Sequence, residues 1–436
     1  MSAPGLSRRH VAAAVIGNAL EFYDFVTYTF FALQIGRAFF PSHDEYVSLM
    51  LSLGTFGAGF VMRPLGGVVL GRYADRAGRR PAMLLSYLLM GVSILVVALV
   101  PPYSVLGIAA PVIVIFARMA QGLALGGEVG SATAFLMEAA PPEKRGFYTA
   151  WQAGSQYAAS IVGSLVGALL SASLSPAVFS AYGWRIAFGL GVLTIPFGLL
   201  IRNSLPETLH LPEATPASDR PGDTKTLLWA NARVIVLGFL VLAAGTIFTY
   251  VSNYMATFAQ TVLHMGSTLA LCATVVSGVT GMAAGLFSGA LSDRFGRWRV
   301  MLWPRFVYLA GAYPVYAWII HAHSATALLL GTAFLQFSGG MGLGAFYAAM
   351  TESLPKPIRG TVFGTVYATA IAIFGGTTQV AITWLPHVTG SPFAPAYYVI
   401  AASVIGLIAT ALMMESAPVR RQDGAPIQGA AMASAE

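Results

Sequence analysis

Glu21 and Asp24 lie three residues apart in an otherwise apolar stretch. If that stretch is helical they project from one face, together with Asn18 and Tyr28. Arg118 interrupts a second apolar stretch. An ionised side chain within hydrocarbon costs several kcal/mol, so each of these groups must be neutral, paired or lining a wet cavity. Counted inward along their own stretches, Asp24 and Arg118 reach a similar depth, about 15 Å at 1.5 Å per residue. Arg118 is therefore the natural partner of Asp24. Two chemistries follow. Protonating Asp24 frees Arg118 to bind a substrate carboxylate, which couples a proton to an anion, or the pair is a permanent brace between two helices. Glu21 is a further proton-coupling candidate or supports the pair from behind.

Weaker polar signals surround this constellation. Gln152, Ser155, Gln156 and Ser160 form one stripe, and Thr246, Tyr250, Asn253, Thr257 and Gln260 form another. Their amides and hydroxyls either face a central cavity or hold helices together. Gln336, Tyr347 and Gln379 are further substrate-binding candidates, as is Gln121 beside Arg118. Arg63 lies about eight residues before the end of its stretch, so its stem can snorkel to the interface, or it can serve as a second anion anchor. Arg305, after Pro304, is expected to snorkel. Glu128 is read as a local hydrogen-bonding group or a proton-path residue. Phe22, Tyr23 and Phe25 are read as packing. His321 and His323 flank a loop and are expected to be solvated; they show no metal spacing. No phosphate-binding glycine loop occurs, which argues against ATP-driven transport. Neither cofactor nor metal is expected, and Cys272 has no intrachain disulfide partner.

The elements that position these residues follow from composition. Of 436 residues 56% are hydrophobic and only 9% charged, against roughly a quarter charged in soluble chains. A soluble enzyme, a disordered scaffold and a nucleic-acid binder are excluded, and the net charge of +7 is spread through short runs between apolar stretches. Ser7-Arg8-Arg9-His10 before an apolar run superficially resembles a signal peptide, but Glu21 and Asp24 interrupt that run and hydrophobicity continues to Phe40, so a retained span is the better reading. Stretches long enough to cross a bilayer fall near 11–38, 46–70, 81–101, 105–138, 146–172, 184–201, 233–260, 268–291, 300–320, 324–350, 360–385 and 394–415. Alternate connections carry Arg72, Arg76, Arg79 and Arg80, Lys144 and Arg145, Arg294, Arg297 and Arg299, or Lys356 and Arg359, while the opposite ones lack Lys and Arg. By the positive-inside rule both termini are cytoplasmic. The expectation is an all-α membrane protein of twelve transmembrane helices. It divides into a six-helix bundle over 1–201, a cytoplasmic linker over 202–232, a second six-helix bundle over 233–416 and a flexible cytoplasmic tail over 417–436. That tail is short, Ala-rich and without heptads.

An internal repeat supports the division. Gly71-x-x-x-Asp75-Arg76-x-Gly78-Arg79-Arg80 recurs as Gly289-x-x-x-Asp293-Arg294-x-Gly296-Arg297-Trp298, and Glu138-x-x-Pro141 with Arg145-Gly146 recurs as Glu352-x-x-Pro355 with Arg359-Gly360. Two parallel six-helix repeats place a transport site at their interface.

These residues resemble the major facilitator superfamily: the Gly71–Arg80 run is similar to its loop signature, and Arg118-x-x-x-Gly122-x-x-x-Gly126 to its fourth-span signature. Gly17-Asn18-Ala-Leu-Glu21-Phe-Tyr-Asp24, Met62-Arg63-Pro64-Leu-Gly66, Arg118-Met-Ala-Gln121-Gly122, Gly146-Phe-Tyr-x-x-Trp151-Gln152, Gly183-Trp184-Arg185-Ile186 and Ile373-Phe374-Gly375-Gly376 resemble its metabolite:H⁺ symporter family. The resemblance implies the major facilitator fold in two six-helix pseudo-repeats. It also implies a monomer in a bacterial inner membrane, and alternating-access symport of H⁺ with a small organic acid, a citrate-like tri- or dicarboxylate. Betaine, proline and shikimate carriers of the family keep a zwitterion or monocarboxylate as the alternative. In related H⁺-coupled sugar symporters a first-span Asp pairs with a fourth-span Arg, positions that Asp24 and Arg118 match. Asp75, Arg76, Arg79, Glu138 and Arg145 are expected to form a gating charge clamp. Asp293, Arg297, Glu352 and Arg359 would repeat it in the second half, with Trp298 replacing the last basic residue. Gly122 and Gly126 let helices approach closely. An intramembrane enzyme would need a nucleophile–base pair or metal ligands within spans, and none is recognisable. A sensor would need a cytoplasmic domain larger than the linker and tail supply.

Overall fold

The computed structural model describes residues 8–77, 79–126, 133, 136–137, 139–203 and 221–416. All regular structure among them is helical. In chain order the main helices are α1 Arg8–Phe30, α2 Ala32–Phe39, α3 Glu45–Ala77, α4 Arg79–Leu99, α5 Ala109–Leu125, α6 Arg145–Ser173 and α7 Trp184–Asn203. After the undescribed segment come α8 Pro221–Ala230, α9 Ala232–Asn253, α10 Met255–Thr261, α11 Ser267–Phe295, α12 Arg297–Ala322, α13 Ala325–Ser353, α14 Lys356–Ala370, α15 Gly376–Thr389 and α16 Ala394–Ala411.

Each apolar stretch of the sequence contains helix among the described residues. Seven helices among the described residues are long and apolar enough to cross a membrane, and Leu84–Leu99 and Ala109–Leu125 are shorter apolar ones. The outer surface agrees with a lipid solvent: Leu99 is 68% exposed, Ile108 74% and Phe116 65%. A soluble monomer rarely presents so continuous an apolar exterior. The chain is a multi-pass membrane protein.

The first helix of each chain half is broken. The first breaks at Phe31 between α1 and α2, and its counterpart at Tyr254 between α9 and α10. The stretch read as 360–385 is interrupted by a π-helical turn at Ile371–Gly375, a feature that often marks function. Within the stretch read as a linker, α8 forms over Pro221–Ala230. Pro221 occupies the first helical position, where its missing N–H would have been unpaired anyway. Residues 204–220 of the linker and the 417–436 tail lie outside the described residues.

Packing fixes the depth of the central arginine. A β-carbon on Gly122 would overlap the carbonyl oxygen of Gly59, so α5 and α3 cross backbone to backbone as the fourth-span glycines lead one to expect. Between chain halves, Gly289 passes Gly146 closely enough that a β-carbon there would lie 2.6 Å from the Gly146 carbonyl oxygen. One apolar core spans this seam, joining Phe22, Phe25 and Phe60 to Tyr250, Tyr347 and Val362. Gly122→Leu is therefore expected to cost at least the 1–3 kcal/mol typical of an overpacked core. It would appear as a lowered melting temperature of the detergent-purified protein, whereas Gly54→Leu, at a position with open space around it, leaves the melt nearly unchanged.

Candidate functional site

Arg118 on α5 and Asp24 on α1 meet in the middle of the bundle. Arg118 Nη1 donates to Asp24 Oδ2 at 3.2 Å, with the two side chains 0% and 1% exposed. The same Nη1 donates to Gln121 Oε1, one turn along α5. The guanidinium carbon stands 4.4 Å from the Tyr28 ring centroid and 5.1 Å from that of Phe25. Tyr28 is itself tied down, its hydroxyl donating to the Ser52 carbonyl at 3.2 Å. The pair is incompletely satisfied. Arg118 Nε and Nη2, Asp24 Oδ1 and Gln121 Nε2 are buried with no hydrogen-bond partner among the described residues. An ionic group taken out of water needs its remaining donors and acceptors paired to recover its desolvation cost. This centre retains free donors at the place where an anion would sit.

The other polar candidates fall into distinct groups. Asn18 Nδ2 donates to Ser155 Oγ at 2.6 Å, and Gln152 Nε2 donates to Asn18 Oδ1 at 3.2 Å, which couples α1 to α6. Gln336 bridges Tyr157 and Ser277 at 2.9 and 3.2 Å, so it joins helices of both halves. Gln156 Nε2 reaches the Tyr367 hydroxyl at 3.4 Å. Tyr347 packs against Phe346 and Phe363. Gln379 is wholly buried with both carboxamide atoms unpaired among the described residues. A cavity of about 30 Å³ lies at the seam, lined by Phe25, Gln156, Tyr157 and Ser160 from one half and by Tyr250 and Asn253 from the other. That volume is room for about two waters, so any larger ligand requires the halves to part. Glu21 is 4% exposed, one turn before Asp24 on α1.

Two expectations are corrected. Arg63 does not snorkel: it is 3% exposed, its guanidinium carbon 4.6 Å from the Phe25 centroid and 4.5 Å from that of Phe60. α3 carries it inward because the opposite face, with Val61, Leu65 and Val68, is the exposed one. Arg305 is also buried, its Nη1 donating to Thr410 Oγ1 at 3.1 Å. In both cases a neighbouring helix covers the route the side chain would take outward. Phe25, read as packing, is a cation–π partner of both Arg63 and Arg118. His321 and His323 are exposed, as expected.

At one end of the bundle a second charge cluster forms. Arg297 holds Glu352 in a bidentate pair at 3.0 and 3.1 Å and contacts Asp293 at 2.6 Å. Asp293 then accepts the backbone N–H groups of Gly146 and Phe147 at 2.8 and 3.0 Å, capping the N-terminus of α6 in the other half. Arg359 donates to the Leu354 carbonyl at 3.0 and 3.2 Å. Arg145 Nε is buried without a partner among the described residues. The side chains of Asp75, Arg76 and Arg79, and all of Glu128 and Glu138, lie outside the described residues. At the other end, Ser171 Oγ meets Thr268 Oγ1 at 3.0 Å, and the Tyr46 ring stacks on His387 at 3.9 Å. Both contacts cross between the halves.

Residues 14–378 match the Major Facilitator Superfamily. The chain belongs to this superfamily. The citrate-proton symporter of Salmonella typhi is 37% identical over 418 residues, covering 94% of this chain and 95% of that protein. The alpha-ketoglutarate permease of Escherichia coli K12 is 32% identical, covering 92% and 93%. Among solved structures, that of a D-xylose-proton symporter superposes with a TM-score of 0.76 at 18% identity, covering 94% of this chain and 98% of that one. The superfamily's all-helical fold is thus shared at an identity far too low to carry substrate information.

Some residues of this superfamily member were invisible in the sequence. Glu415 accepts from the Arg297 and Trp298 backbone N–H groups at 2.8 and 3.2 Å, capping α12 from beyond α16. A lone acidic residue at the very end of the last apolar stretch gives no pattern to find. The Ile373–Gly376 motif was visible, but not that it forms a π-helical turn, nor that Gly376 packs against Gly57 of α3. Arg297→Ala leaves two acidic groups without their cation, and breaking a buried pair this way costs about 3–5 kcal/mol. The melting temperature is expected to fall by several degrees. Arg297→Lys recovers part of the loss, because an ammonium cannot form the bidentate pair.

Proposed function

We propose that this protein is a secondary active transporter that carries a small organic acid, a citrate-like tri- or dicarboxylate, together with H⁺ by alternating access. The reading is supported by the buried Arg118–Asp24 pair with its unpaired donors. It is supported further by the 37% identity to a relative named as a citrate-proton symporter. The chain would form twelve spans in two six-helix bundles over 1–201 and 233–416, joined by a linker over 202–232. The Lys and Arg distribution supports cytoplasmic termini and a 417–436 tail on the same side, in a bacterial inner membrane. The protein would work as a monomer without ATP, nucleic acid or a cofactor.

Coupling follows from charge balance. With no substrate, ionised Asp24 compensates Arg118. With substrate, protonated Asp24 releases the guanidinium to a substrate carboxylate, and the local charge is unchanged. The two half-loaded states each bury an unpaired charge, which costs several kcal/mol and opposes closure. The Arg118 centre is therefore charge-balanced in the empty and in the fully loaded carrier, and half-loading opposes closure there. Glu21 would tune the same proton site from one turn away. Asn18, Tyr28, Gln121, Gln152, Gln156, Tyr250, Asn253, Gln336, Tyr347 and Gln379 would supply hydrogen bonds to the substrate once the seam opens. The Asp293–Arg297–Glu352 cluster, with Arg359, and its first-half counterpart of Asp75, Arg76, Arg79, Glu138 and Arg145, would hold the cytoplasmic gate.

The test is uptake of labelled citrate into proteoliposomes with and without an inward proton gradient. Gradient-stimulated uptake is expected, abolished in Arg118→Ala. In Asp24→Asn uphill accumulation should disappear while citrate exchange persists at a reduced rate, since the Asn mimics the protonated acid permanently. Undiminished uphill uptake by Asp24→Asn would sink the coupling role. Uptake of betaine but of no carboxylate would keep the transporter and replace its substrate.

A further inference from the structure

Arg63 is the second buried guanidinium of this site, and its burial removes the snorkelling alternative. It is 97% removed from solvent, with an exposure of 3%, and no carboxylate pairs with it among the described ion pairs. Its Nε and Nη2 have no hydrogen-bond partner among the described residues. What holds it is aromatic: Phe25 and Phe60 lie at 4.6 and 4.5 Å. Ring faces attract a cation, but they cannot satisfy the directional donors of a guanidinium, which has five and no acceptor.

Its neighbours connect it to the cavity. Phe25 lines that cavity and is shared with Arg118, whose guanidinium carbon is 5.1 Å from the same ring. Tyr250, another lining residue, packs on Phe60 at 5.4 Å between centroids and lies within electrostatic reach of Arg63, as does Tyr367. Tyr367 in turn accepts from Gln156 of the lining. Arg63 and Arg118 stand 4.6 and 5.1 Å from the centroid of the same Phe25 ring, close enough for two like charges to repel. The seam is thus flanked by two repelling cations, for which Asp24 supplies one paired carboxylate. A neutral or zwitterionic ligand would leave the second cation uncompensated, whereas a second carboxylate matches its planar fork.

We propose that Arg63 is the second carboxylate anchor of the transport site and sets its selectivity for substrates carrying two or more carboxylates. This rests on the organic-acid reading above and assigns to Arg63 a task distinct from that of Arg118. Arg118 exchanges its carboxylate partner with Asp24 in every cycle. Arg63 has no carboxylate to exchange, so its contribution is to affinity for the far end of the substrate.

Inhibition constants for citrate, succinate and acetate against labelled citrate uptake in proteoliposomes test this, using the unaltered protein, Arg63→Gln, Arg63→Met and Arg63→Lys. Arg63→Gln and Arg63→Met are expected to weaken citrate and succinate at least ten-fold and leave acetate within two-fold. Arg63→Lys should recover part of the selectivity. Met keeps an unbranched chain between the two rings, so it separates lost charge from lost packing. Equal weakening of all three acids, or unchanged selectivity in the Met variant, overturns the proposal while leaving the organic-acid reading intact. Failure of the unaltered protein to take up any carboxylate removes that reading, and the role of Arg63 with it.

Discussion

A guanidinium that cannot reach water dictates the arrangement of the first half of this molecule. Arg118 is fully buried and paired to Asp24 through a single nitrogen. Such a group persists only where the surrounding helices hold its partners at fixed distances. The crossing of α3 and α5 at Gly59 and Gly122 sets the height and rotation of Arg118. The α1 face presents Asp24, and the rings of Phe25, Tyr28 and Phe56 surround the cation. Each ring offers a polarisable face without competing for the donors. The pocket is therefore dry enough to strengthen any carboxylate contact and open enough in hydrogen-bonding terms to accept one.

The second half answers with a different use of the same chemistry. Asp293 binds Arg297 and also caps α6 across the seam. One carboxylate thus holds a cation of its own half and a helix N-terminus of the other. Glu415 repeats the device on α12, so the N-terminus that carries Arg297 is fixed from the far end of the chain. Arg297 then meets Asp293 and Glu352 with its orientation already set, which lowers the entropy cost of holding a long side chain in place. A substitution at Glu415 would act on the seam through Arg297 without touching it.

What the sequence disclosed was governed by solvent, and what it hid was governed by packing. The apolar stretches are legible because hydrocarbon demands long runs, and among the described residues seven helices are long and apolar enough to cross a membrane. Asp24 and Arg118 are legible because a charge within such a run has few reasons to exist. Arg63 was misjudged because its depth alone permits an outward route. Only the exposure of Val61, Leu65 and Val68 on the opposite face shows that this route points into protein. The double duty of Phe25 and the capping role of Glu415 depend on rotation about helix axes and on a chain end folding back, and neither leaves a periodic trace.

The same two helices, α6 and α11, meet at both ends of the seam, and their two contacts are unequal. At the Asp293 end the carboxylate accepts two backbone donors, and charged hydrogen bonds contribute about 1.5–3 kcal/mol each. At the Ser171 end one hydroxyl pair and the Tyr46–His387 stack span the gap, and a neutral hydrogen bond contributes about 0.5–1.5 kcal/mol. A rocking motion that parts one end while pivoting on the other therefore costs less at the Ser171 end. In the proposed topology that end would face outward, so the unloaded carrier would open first toward the outside.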